Sequence, residues 1–125
     1  MKYPKNLRSL LILFLFLGAV VTSCSKKREG DPKVLVFSKT AGYHHESIAK
    51  GITAIQKLGA ENGFEVDTTK NAELINEENL AQYATVIFLS TTGDVLNSYQ
   101  EADFERYIQS GGGFVGIHAA ADSEY

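Results

Sequence analysis

The stretch GGGFVGIHAAAD, residues 111–122, decides the fold. Three glycines feed a short apolar run, Phe114 to Ile117, which stops at a histidine and three alanines. A strand that runs into a sharp turn among small residues has the form of a nucleophile elbow, whose corner is a serine or cysteine. Here the corner is His118. An imidazole suits proton transfer or metal ligation better than covalent attack on a carbonyl. The elbow is present and its nucleophile is not.

Working outward from the elbow, the pattern alternates strand and helix. Lys33–Ser38 (KVLVFS) is short, β-rich and mostly apolar, which predicts a strand buried on both faces. The loop KTAGYHHES leads into a helix from Glu46 or Ser47 to Asn62, with Ile48, Ile52, Ile55 and Leu58 on one face and Gly63 as its stop. FEVDTT (64–69) predicts a second strand, INEENLAQY a short helix capped by Asn76, and ATVIFLS (84–90) a third strand. After the loop TTGDVLN, Asn97 or Ser98 caps a helix over YQEADFERYIQS. Its buried side is read as Ala102, Phe104 or Glu105, and Ile108, with Tyr107 near the same side. Four strands separated by helices predict right-handed βαβ units and a parallel sheet covered on both faces. The expected fold class is α/β, an open doubly wound sheet of the flavodoxin-like kind, with ligands received beyond the carboxyl ends of the strands. All three histidines fall in loops at those ends, and strands one and four are expected to lie near each other.

The first 23 residues read as an address. Lys2, Lys5 and Arg8 precede an apolar run, Leu10–Val21, too short for a comfortable membrane span. Val21-Thr22-Ser23-Cys24 resembles the lipobox of a bacterial lipoprotein signal. That resemblance implies cleavage before Cys24 and its acylation, anchoring an exported protein to a membrane. Cys24 is the chain's single cysteine, so no internal disulfide is available. Residues 24–32 then form the lipidated cysteine and a polar tether, and 33–125 the domain. Cleavage leaves 102 residues with nine Lys and Arg against 15 acids, a net charge near −6. Such a balance is wrong for a phosphate backbone, so nucleic acid is not an expected partner. The glycines at 111–113 precede their strand and lack a following Lys-Ser/Thr, which excludes a phosphate loop.

The motifs VLVFSKTAGYHHESI (34–48), VIFLSTTGDVLN (86–97) and FERYIQSGGGFVGIHAAAD (104–122), in that order, resemble the ThuA-like (trehalose utilisation) family. That family belongs to the class I glutamine amidotransferase-like superfamily, and the resemblance spans essentially all of the chain after the tether. It implies a small-molecule carbohydrate as partner, a disaccharide or keto sugar, processed by hydrolase, lyase or isomerase chemistry. It also implies no glutaminase activity, since His118 stands where the amidotransferases carry cysteine. Family members run beyond residue 125, so a C-terminally incomplete sheet is expected; the other reading is a small domain completed by oligomerisation. Tyr43 and His45 match the family's aromatic and histidine positions, while His44 replaces a common arginine and with it a permanent cation.

The expected catalytic residues are His118 and His45, with Asp122 orienting one of them. Tyr43, His44, Thr91, Thr92 and Asp94 are candidates for contacting a sugar. Each has a plainer reading. His118 fills the vacated cysteine site, His45 bonds locally at a helix start, Asp94 fixes its own loop, and the threonines simply end a strand. His45 and His118, with Asp122 or Glu46, are also candidate ligands for a divalent metal such as zinc, although no local HExxH spacing supports one. The rival to an enzyme is a non-catalytic carbohydrate-binding or scaffold module.

Overall fold

The computed structural model describes residues 30–123; the signal, Cys24 and most of the tether lie outside the described residues. Four strands, β1 (Lys33–Phe37), β2 (Glu65–Thr69), β3 (Thr85–Leu89) and β4 (Gly113–Ile117), form one sheet in the order β2-β1-β3-β4. Every neighbouring pair is parallel. Helix α1 (Ile48–Asn62) joins β1 to β2, the short α2 (Glu77–Leu80) precedes β3, and α3 (Ser98–Gln109) joins β3 to β4. The chain steps outward from β1 to β2, then reverses direction past β1 to β3 and β4. Because the crossover hand is fixed, that reversal puts the later helices on the opposite face.

Each face has its own core. Val36 and Leu89 pack with Ile48 and Ile55 of α1. On the other face Leu35, Phe37, Val86 and Phe88 meet Leu80 of α2 and Tyr107 of α3. Each such side chain, fully buried, contributes roughly 1.5–3 kcal/mol of transfer free energy. Strands β1 and β3 are the central pair, which is why their sequences are apolar on both sides.

Two helix faces differ from the expected ones. In α1 the buried stripe is Ile48, Ile55 and Gly59, and Leu58 is 50% exposed. A Cβ on Gly59 would come within 2.6 Å of the Phe64 carbonyl oxygen, so the helix lies flush against the approach to β2 and turns Leu58 outward. In α3 Tyr107 is buried and Phe104 half-buried, while Ile108 is 39% exposed. Asn97 caps α3, its side chain accepting from the Tyr99 and Gln100 amides. Gly63 ends α1 in the left-handed region at φ 70°.

The glycine run has a packing reason as well as a turn reason. Gly111 sits at φ 97°, beyond the reach of most side chains. A Cβ on Gly112 would overlap the Tyr107 ring, and one on Gly113 would stand 2.6 Å from Thr85 Oγ1. Tyr107 has nowhere to retreat, being stacked on Phe104 with its hydroxyl 3.3 Å from the Gly113 carbonyl. Gly112→Ala is therefore expected to destabilise the domain by about 1–3 kcal/mol through overpacking. A lowered urea midpoint at unchanged m-value is the readout, and an unchanged midpoint contradicts it.

Tyr83 is buried under β1 and β2 and donates its hydroxyl to Asp67 Oδ2 at 3.0 Å, while Lys33 Nζ stands 3.7 Å from the same carboxylate. Burial first, then the Asp67 hydrogen bond and charge, pushes the phenol from 10.0 up to about 12. The folded state thus holds this proton more tightly than the unfolded chain. Its contribution is complete below pH 10 and is lost as pH rises from about 10 through about 12. Tyr83→Phe is expected to flatten that alkaline fall in stability; an identical fall in the variant removes Tyr83 as its cause.

Candidate functional site

The order in which the chain adds strands reverses between β1 and β3, and beyond their carboxyl ends lies the kind of crevice that receives ligands in parallel sheets. The loop after β1 carries Tyr43, His44 and His45. The segment after β3 carries Ser90 to Asp94. Beyond β4 the chain turns at once into a 3-10 turn, His118–Asp122.

His118 occupies the elbow corner at φ 57°. Left-handed backbone at a non-glycine residue costs about 1–2 kcal/mol, so it needs support from its surroundings. Ser90 is the other described non-glycine residue with positive φ, at 50°. The two are neighbours. The β3–β4 register ends at Leu89 opposite Ile117, and the Ser90 amide donates to the Ile117 carbonyl at 3.0 Å.

The structure brings His45 and His118 together, with ring centroids 4.5 Å apart and planes inclined at 69°. Tyr43 extends the row, its ring 4.8 Å from His45 and nearly perpendicular to it. His45 is half-buried between two exposed rings, and Tyr43 is 70% exposed. Strands one and four lie near each other with one strand, β3, between them. The rings meet because the loop after β1 reaches across the end of β3. His44 faces elsewhere, its Nδ1 3.4 Å from Thr40 Oγ1.

The remaining candidates are spread around this row. Thr91 and Thr92 are buried, and their hydroxyls are engaged within the protein. Ser123 Oγ donates to Thr91 Oγ1 at 2.7 Å, and Thr92 Oγ1 donates to the Tyr43 carbonyl at 2.9 Å. Asp94, Asp122 and Glu46 are exposed. The Asp122 carbonyl accepts from the Gly93 amide at 2.8 Å. Among the described residues no group of three His, Cys, Asp or Glu side chains is placed to hold an ion. A zinc site takes at least three protein ligands, and the ring contact supplies two imidazoles, so the described residues do not by themselves fit such a site.

Two neighbours of the site carry no signal in the sequence. Lys39, one residue past Ser38, donates its Nζ to the Val95 carbonyl at 2.7 Å and ties the first two loops together. Ser90 has the sequence context of an ordinary strand end. A groove of about 400 Å³ on the α3 face is lined by Phe88, Phe104, Phe114 and Leu96, with Glu101 and Glu105 among its residues. Neither imidazole lines it.

Together these features define an α/β domain with a parallel sheet and a histidine at the turn that follows its last described strand. The ThuA family, described as trehalose utilisation, matches residues 33–125, and the chain belongs to it. A crystal structure of a ThuA-like protein from Bacteroides uniformis superposes with a TM-score of 0.59 at 29% sequence identity. The match covers 78% of this chain and 40% of that one, so the chain spans about two fifths of its length. A comparison with curated proteins gives no match.

Proposed function

We propose that this chain carries part of the active site of an exported, lipid-anchored ThuA-like protein that processes a carbohydrate by proton transfer. The fold reading is a flavodoxin-like sheet of the class I glutamine amidotransferase kind that has exchanged sulfur chemistry for imidazole chemistry. The observation that carries it is the His45–His118 contact at the carboxyl edge, with His118 held at the elbow corner. A neutral imidazole has one nitrogen that accepts a proton and one that donates. Two of them side by side can take a proton from a carbon next to a carbonyl and return one to the neighbouring oxygen, the step a keto sugar requires. Tyr43, exposed beside His45, offers a flat ring on which a sugar can rest. The family's description as trehalose utilisation supports a sugar as the substrate class. Lipid anchoring rests on the Cys24 context in the sequence, outside the described residues; among the described residues no helix is long and apolar enough to cross a membrane.

The test is deuterium uptake from solvent into a panel of disaccharides and keto sugars, using the full-length protein. Uptake is expected with the wild type and is expected to fall at least ~100-fold in His45→Ala. Binding of sugar without exchange would establish the non-catalytic module instead, and neither binding nor exchange would remove the carbohydrate reading.

A further inference from the structure

The segment Ser90–Gly93 touches both histidine-bearing loops, and its contacts account for a ring pair drawn from strands that are not neighbours. On one side it holds the loop after β1. The Ala41 and Gly42 amides donate to the Thr92 carbonyl at 2.8 and 3.1 Å, and Thr92 Oγ1 donates to the Tyr43 carbonyl, two residues before His45. On the other side it holds the elbow. The Ser90 amide binds the carbonyl immediately before His118, and the Gly93 amide binds the Asp122 carbonyl at its far end. Ser123 Oγ closes on Thr91 Oγ1. Between these two pins the segment after β3 uses residues 90–92 while the elbow uses 118–122, so the pairing opens around His118 and shuts again at the Gly93–Ser123 bridge. The left-handed turn at Ser90 begins this course, carrying Thr91 and Thr92 inward to full burial.

We infer that Ser90–Gly93 is a bracket that sets the separation of His45 and His118, and that Thr91 and Thr92 are positioning residues rather than sugar contacts. Thr92 governs the His45 side and Thr91, through Ser123, the His118 side. The functional importance of the bracket rests on the proton-transfer reading above. Its geometry does not, so the two fail separately.

The experiment measures the nuclear Overhauser effect between the His45 and His118 ring protons in the full-length protein in mild detergent. Thr92→Val removes the hydroxyl that binds the Tyr43 carbonyl and sets a methyl in its place. It is expected to weaken the ring-to-ring effect several-fold while the amide spectrum of the sheet stays native. Thr92→Ser, which keeps the hydroxyl, is expected to restore it. Ser123→Ala tests the opposite arm from a less buried position and decides the matter alone if Thr92→Val does not fold. A wild-type ring effect in both Thr92→Val and Ser123→Ala overturns the bracket. So does an effect lost equally in Thr92→Val and Thr92→Ser.

Discussion

Replacing Phe37 with alanine is expected to cost about 3–5 kcal/mol, a large part of the roughly 5–15 kcal/mol that separates a folded domain from its unfolded chain. Phe37 ends β1, is 0% exposed, and packs on Phe88 with ring centroids 5.1 Å apart. Phe88 in turn meets Phe104 and Phe114 at 5.2 and 5.4 Å, so one aromatic cluster runs from the centre of the sheet to its edge. Truncating Phe37 removes a fully buried member of this cluster on a central strand, where neighbours cannot readily collapse into the space. Phe114, at the other end of the cluster on the edge strand, is 50% exposed. Its truncation is expected to cost about 1–2 kcal/mol, in proportion to the area it hides. Urea melts of the two variants at equal m-value test the contrast. Equal losses would mean that the cluster is uniformly loose, and that the sheet's centre of stability lies elsewhere.

The elements were legible because each carries a local signal strong enough to survive tertiary context. The apolar run of β1 reads as buried on both faces, that of β3 is apolar nearly throughout, and they are the two central strands. Asn97 and Gly63 mark helix ends by chemistry that acts within a few residues. What the sequence hid depends on contacts between distant segments. Nothing about Leu58 distinguishes it from Ile55 until Gly59 is seen pressed against Phe64. Ser90 looks like any strand-end serine, because left-handed backbone is written in the sequence only when glycine supplies it. The pairing of His45 with His118 was legible as an outcome and not as a route. The strands lie near each other as expected, but the route crosses over β3 on hydrogen bonds made largely by main-chain atoms and threonine hydroxyls. Main-chain acceptors leave no residue-type signature.

His118 supports the most discriminating prediction, since strain and chemistry meet in one side chain. Substituting glycine removes the left-handed penalty of about 1–2 kcal/mol. It also adds back about 0.5–1 kcal/mol of unfolded-chain freedom, and forfeits the contact with His45. These terms nearly cancel, so His118→Gly is expected to melt within about 1 kcal/mol of the wild type. Asparagine, which tolerates the same backbone, is expected to behave alike. The imidazole proposed to carry the proton is nevertheless gone in both. Turnover of whatever sugar exchanges deuterium with the wild type is expected to fall ~10²–10⁴-fold in each variant. A histidine present only to fill the elbow gives the reverse pattern, with stability lost by several kcal/mol and any activity falling only as far as the folded fraction does. Full turnover in a stable His118→Gly protein would leave the ring row as packing and move the reactive group elsewhere. A stable fold with abolished exchange would mean that the corner residue is kept in a strained conformation for what its ring does, because the backbone itself is better served by glycine.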